Sequence, residues 1–135
     1  MWKCEIVQGR DLDVDEVAEL YRASTLAQRR PVEDTARFTD MVRNANLVVV
    51  ARIDDRLVGI ARSITDGAYV TYLSDIAVDE KFQHRGIGRD LIAATREAAP
   101  RAKIVLLAAP ASVDYYPHIG FHRHNSAWVM NASPV

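Results

Sequence analysis

The chain has 135 residues, 49% hydrophobic and 26% charged, with a formal net charge of −1 and a pI near 6.4. That length suits a single domain over residues 1–135 with its own core, and the near-neutral charge gives no electrostatic basis for binding nucleic acid or an anionic membrane. Cys4 is the only cysteine, which excludes an internal disulfide and a zinc-type cysteine cluster.

In chain order, the start Met1-Trp2-Lys3-Cys4-Glu5 lacks the apolar stretch of a signal peptide. No apolar run approaches the roughly 18 residues that would span a bilayer, so a cytoplasmic protein is expected. Lys3–Gln8 reads as a short strand, and Asp13 with Glu16 makes a capping-box-like helix start. Val14, Val17, Ala18 and Tyr21 then share one helical face, and Ser24–Pro31 breaks the pattern. Phe38, Met41, Val42 and Ala45 mark a second helix. Leu47–Ile53 is β-branched and nearly continuous, as in a strand buried on both faces, and Asp54-Asp55-Arg56 turns it back into Leu57–Ile64. Thr65-Asp66-Gly67 is the next turn, and Tyr69–Val78 the next strand. A helix over Gly86–Ala98 is expected to bury Ile87, Leu91, Ile92, Thr95 and Ala98, with Pro100 ending it. Lys103–Ala108 reads as a buried strand, Ser112–His118 as a short helix, and Phe121–Met130 as a final strand. The order β-α-α-β-β-β-α-β-α-β describes an α/β mixed sheet with helices on both faces.

The turn between the strand ending Ile76-Ala77-Val78 and the long helix reads Gln83-His84-Arg85-Gly86-Ile87-Gly88-Arg89. A helix N-terminus leaves backbone N–H groups without partners and carries a partial positive charge, which together suit a phosphate. Gly86 and Gly88 clear side chains from the backbone there. Arginine at this end opposes the dipole by roughly 0.3–1 kcal/mol, so Arg85 and Arg89 make better sense beside a bound anion. The plainer alternative is a tight turn whose arginines pair with Glu80 or Asp90. A P-loop is excluded because Gly88 is not followed by Lys and Ser or Thr, and a dinucleotide turn because Leu91 stands where a third glycine is needed.

Gln83-x-x-Gly86-x-Gly88 resembles the acyl-CoA pyrophosphate loop, Gln/Arg-x-x-Gly-x-Gly/Ala, of the GNAT N-acetyltransferase superfamily. Tyr116-Pro117-His118-Ile119-Gly120-Phe121 resembles that family's Tyr-x-x-x-Gly-Phe signature and follows in the right order. The resemblance implies the GNAT acyl-CoA N-acyltransferase fold, with fourth and fifth strands splayed into a V that takes acyl-CoA. It implies that the main chain at Ile76, Ala77 and Val78 bonds the pantetheine, and that Gln83 and the amides of His84, Arg85, Gly86, Ile87, Gly88 and Arg89 hold the pyrophosphate. It places Tyr116 as the acid that protonates the departing thiolate, and again as a residue contacting the cofactor. An unperturbed tyrosine pKa of about 10 keeps that hydroxyl protonated. An aromatic wedge is the other reading of Tyr116, and Tyr115 is the alternative acid.

Several family members carry a glutamate base on the fourth strand, whereas this chain reads Leu73-Ser74-Asp75-Ile76. Asp75 is the nearest carboxylate, either a base or a hydrogen-bonded structural acid, and the structural role is favoured. Strand alternation puts Ser74 and Asp75 on opposite faces unless a bulge intervenes. His118, His122 and His124 do not make a metal site, since no further ligand stands at suitable spacing, and nothing beside Cys4 would activate a thiolate. By fold analogy, the loop that carries Arg29 and Arg30 borders an acceptor pocket, so Arg29, Arg30, Tyr21 and Arg22 are expected to meet an acidic or aromatic acceptor.

The resulting expectation is an acetyl-CoA-dependent N-acetyltransferase, without a metal, that acts through a ternary complex on a small-molecule amine or an exposed protein amine. The expected partners are acetyl-CoA and the acceptor amine, with no nucleic acid and no membrane. Homodimerisation is frequent in the family, but no interface is legible here. A non-catalytic acyl-CoA-binding or sensor domain is the alternative.

Overall fold

The computed structural model describes residues 1–133. Strands β1 (Lys3–Val7), β2 (Leu47–Ile53), β3 (Arg56–Thr65), β4 (Val70–Val78) and β5 (Lys103–Val105) form one sheet in the order β1-β2-β3-β4-β5. Neighbours pair antiparallel from β1 to β4, and β4 pairs parallel with β5. Helices α1 (Val14–Ala23), α2 (Thr35–Asn44) and α3 (Ile87–Ala98) complete a mixed α/β architecture. Asp13 caps α1 by accepting from the N–H groups of Asp15 and Glu16, and Asp34 caps α2 by accepting from Arg37.

The apolar periodicities divide between the two faces of the sheet. Val17, Tyr21, Phe38 and Val42 of α1 and α2 pack on Val48, Val50 and Ile60. On the other face, Ile87, Leu91 and Ile92 of α3 pack on Val49, Ala51 and Val58. β2 therefore contributes to both cores, which accounts for its unbroken apolar run. α3 comes close because Gly59 has no side chain: a Cβ there would stand 3.0 Å from Ile87 Cγ2. Asp54 and Asp55, at φ of 47° and 68°, supply the tight left-handed turn that joins β2 to β3.

Two features of β4 prepare a cleft. Its pairing with β5 covers only Val70–Tyr72, so Leu73–Val78 continues without a strand on that side. Its register against β3 shifts between Arg62 and Ser63, where Arg62 faces Asp75 and Ser63 faces Leu73, leaving Ser74 as the extra residue. That bulge reverses the facing of the side chains. Leu73 lies in the α3-side core, whereas Ala77, four residues on, lies in the α1-side core.

The C-terminal third departs from expectation. β5 stops at Val105, and its residues are exposed or half-buried, as at an uncovered sheet edge. In place of the helix Ser112–His118 there are two 3-10 turns, Pro110–Ser112 and Tyr116–Ile119. The expected strand Phe121–Met130 is not formed: a turn at Asn125–Ser126 interrupts it, and Trp128 and Met130 are 92% and 96% exposed. The polar run His122–Ser126 explains the interruption, because it offers no alternating apolar face to bury. Ala98 is exposed and Ala99 buried, since the chain leaves the helix between them.

Candidate functional site

The loop after β4 is built to leave its amides free. Asp79 caps the 3-10 turn Glu80–Phe82, and the Gln83 side-chain amide donates to the Val78 carbonyl at 2.9 Å, tying the loop to the strand end. His84 (φ 65°) and Gly86 (φ 101°) then adopt left-handed backbone conformations, and Gly86 serves as N-cap of α3 without any side-chain cap. Among the described residues, no protein acceptor takes the N–H of His84, Arg85, Gly86, Ile87, Gly88 or Arg89; the first intrahelical bond runs from Asp90 N–H to Gly86 carbonyl at 3.0 Å. Successive amides turned by left-handed residues at a helix start form an anion-binding concavity. Neither loop arginine pairs with Glu80 or Asp90. Arg85 stacks over Phe82 at 5.2 Å and donates to the Lys81 carbonyl, while Asp90 accepts from the Trp2 indole at 2.9 Å. Arg89 reaches back over the loop, its Nη2 3.4 Å from where a Gly86 Cβ would stand.

The loop opens into the gap beside β4. A Cβ on Gly88 would meet Tyr115 Oη at 3.6 Å and the tips of Ile76 and Val78 at 4.0 Å. Farther along the gap lies a cavity of about 70 Å3, lined by Leu73, Ser74 and Ile76 on one side and Leu106, Leu107 and Tyr116 on the other. Tyr116 is 9% exposed, with its ring edge-to-face against Tyr115 and Phe121 at 5.4 and 5.5 Å. Burial, with a smaller effect of Tyr115, raises the pKa of Tyr116 and keeps its hydroxyl protonated at neutral pH. Tyr115, which the sequence offers only as an alternative acid, puts its hydroxyl against Gly88 instead; burial raises its pKa against the opposing charge of Arg89. A larger cavity, about 180 Å3, lies between α1 and α2, away from the loop.

Asp75 points away from Ile76, into the α1-side core, where its side chain is fully buried. Tyr21 Oη and Arg62 Nε donate to Oδ2 at 2.6 Å each, and Arg30 Nε donates to Oδ1 at 2.5 Å. Burial pushes the carboxyl pKa up, but the Arg62 charge and hydrogen bond, then Tyr21 and Arg30, outweigh it and leave the pKa lowered. A carboxylate so held is a weak base. The bulge also brings Ser74 to the same side, against simple alternation: its hydroxyl accepts from Arg62 Nη2 at 2.9 Å and donates to Asp75 at 3.3 Å. Tyr21 is buried in this cluster and so does not border a pocket. Arg22 pairs with Glu19 and Glu33 at the surface, leaving Arg29 and Arg30 at the cleft.

His122 and His124 are exposed, and the Cys4 thiol pKa is raised by burial and by Asp90. No helix among the described residues is long and apolar enough to cross a membrane.

No curated protein sequence matches the chain. Among solved structures, a ribosomal-protein-alanine N-acetyltransferase from Brucella melitensis superposes with a TM-score of 0.73 at 22% identity, covering 98% of this chain and 99% of that one. A GNAT-family acetyltransferase from Streptococcus pneumoniae gives 0.71 at 19%, covering 98% and 100%. An aminoglycoside N-acetyltransferase solved in complex with CoA gives 0.72 at 16%, covering 98% and 95%. These likenesses establish the fold. The profile of the acetyltransferase (GNAT) domain matches residues 19–134. On that match, the chain belongs to the GNAT acetyltransferase family.

Proposed function

We propose that the protein is an acetyl-CoA-dependent N-acetyltransferase that forms a ternary complex with a primary amine, carried by a small molecule or exposed on a protein. The observation that supports this reading most is the run of unclaimed amides from His84 to Arg89, beside the unpaired stretch of β4. When bound, acetyl-CoA supplies a thioester whose C–S bond breaks as a C–N bond to the acceptor forms.

The protein's part is binding, orientation and proton placement. The amides of His84–Arg89 take the diphosphate, with Arg85 and Arg89 adding charge. The main chain of Ile76, Ala77 and Val78 offers the pantetheine amides the pairing that a neighbouring strand would otherwise give, and Gln83 holds the Val78 carbonyl. Tyr116 Oη donates the proton that the departing sulfur requires, and its raised pKa keeps the donor form filled. Water entering from the open cleft removes the amine proton, because Asp75 is occupied by Arg30, Arg62 and Tyr21. Asp75 acts in this scheme by positioning β4.

The engagement of Asp75 also favours a second reading, an acyl-CoA-binding or sensor domain without turnover, since no carboxylate side chain among the described residues lines the cleft cavity. Thiol release from acetyl-CoA across an amine panel separates the two. The transferase reading expects release that falls at least tenfold in Tyr116→Phe, with CoA affinity retained within about threefold. Tight CoA binding without release for any amine would establish the second.

A further inference from the structure

Of the arginines near the acceptor side of the cleft, all but one have an anion. Arg22 has Glu19 and Glu33, and Arg30 and Arg62 share Asp75. Arg29 makes no ion pair among the described residues and lines the cavity beside β4. The cluster behind it is itself positive, because one carboxylate serves two guanidiniums. Arg30, 23% exposed, carries that excess to the cavity wall, while Arg62 is 8% exposed. Two cations therefore border a space walled by apolar Leu26, Leu73, Ile76 and Leu106 and by polar Ser74 and Tyr116. Ser112 also lines it. A wall with uncompensated positive charge attracts an anion and disfavours a polycation.

We propose that the acceptor is an α-amino acid, whose carboxylate docks on Arg29 beside Arg30 and whose small apolar side chain enters the cavity, with the amine toward Tyr116. The cavity, about 70 Å3, has room for roughly two water-sized groups at about 30 Å3 each. That suits a short aliphatic side chain. The nearby cations also lower the pKa of the acceptor amine and favour its neutral, attacking form, which suits a cleft without a carboxylate base. The inference rests on the transferase reading.

The test is calorimetry of the CoA-loaded protein with glycine, L-alanine, L-valine and L-methionine against their carboxamides, with thiol release from acetyl-CoA measured on the same pairs. At least one acid should bind tenfold or more tightly than its amide. That acid-to-amide ratio should fall toward one in Arg29→Gln and persist in part in Arg29→Lys, with CoA affinity of both variants within about twofold of wild type as the folding control. Equal binding of acid and amide, failure of every acid to bind, or a ratio unmoved in Arg29→Gln would overturn the proposal. Acid-selective binding without thiol release would support the anion site and remove the transferase reading alone.

Discussion

Asp75 shows how a single side chain differs from what its neighbours in sequence suggest. It stands where a base belongs, but it is held by Tyr21, 54 residues away, and by Arg30, 45 residues away. Local pattern contains no record of such partners, so sequence could name the carboxylate and favour a structural role but not show its bonds. Alternation separates Ser74 from Asp75 unless a bulge intervenes, and only the paired strands show that one does. Asp75→Asn leaves buried Arg62 and half-buried Arg30 without their counter-charge, and should cost about 3–5 kcal/mol of stability in urea unfolding at pH 7. The folded-state pKa of Asp75 is lowered, so its contribution is complete above the unfolded value of about 3.9 and disappears as pH falls through the folded value. The wild type should therefore lose stability below about pH 4 more steeply than Asp75→Asn. Equal slopes would contradict this account of the cluster.

At the scale of elements, α3 and the loop before it were the most legible part of the chain. Their signals are local: two glycines, an apolar repeat and a proline stop. The structure adds the left-handed conformation of His84, which no glycine rule anticipates, and the position of Arg89 over the loop. Arg89 sits in the first turn of α3, where a cation opposes the helix dipole. Arg89→Ala should thus raise thermal stability slightly, by roughly 0.3–1 kcal/mol. The same change should weaken CoA binding about tenfold through loss of a charge-assisted contact of about 1.5 kcal/mol. Stability and affinity moving in opposite directions is the signature of a residue kept for an anion; a fall in both would indicate a structural arginine. The last strand was the least legible element, since Phe121 is anchored against Tyr116 but the polar residues after it supply no face to pack.

For the whole molecule, the order of elements from β1 to β5 was readable, and the domain match over residues 19–134 shows the family that the two motifs suggest. Element order is readable because helical and strand periods differ and each carries its own apolar face. The cleft follows from the sheet as a whole: β4 outruns β5, the bulge turns its side chains, and α3 delivers its free amides to the open end. Sequence could place Arg29 and Arg30 beside an acceptor pocket but not show which of them is already paired, because Asp75, which Arg30 shares with Arg62, lies 45 residues away. The central claim is that the main chain around Gly86 and Gly88 holds the diphosphate of coenzyme A. Calorimetry comparing CoA with pantetheine, which lacks the diphosphate and nucleotide, tests it most directly. CoA should bind at least about a hundredfold more tightly, a difference of about 2.7 kcal/mol, with an advantage that shrinks as salt is raised. Equal affinity for the two, or no binding of CoA, would contradict the account.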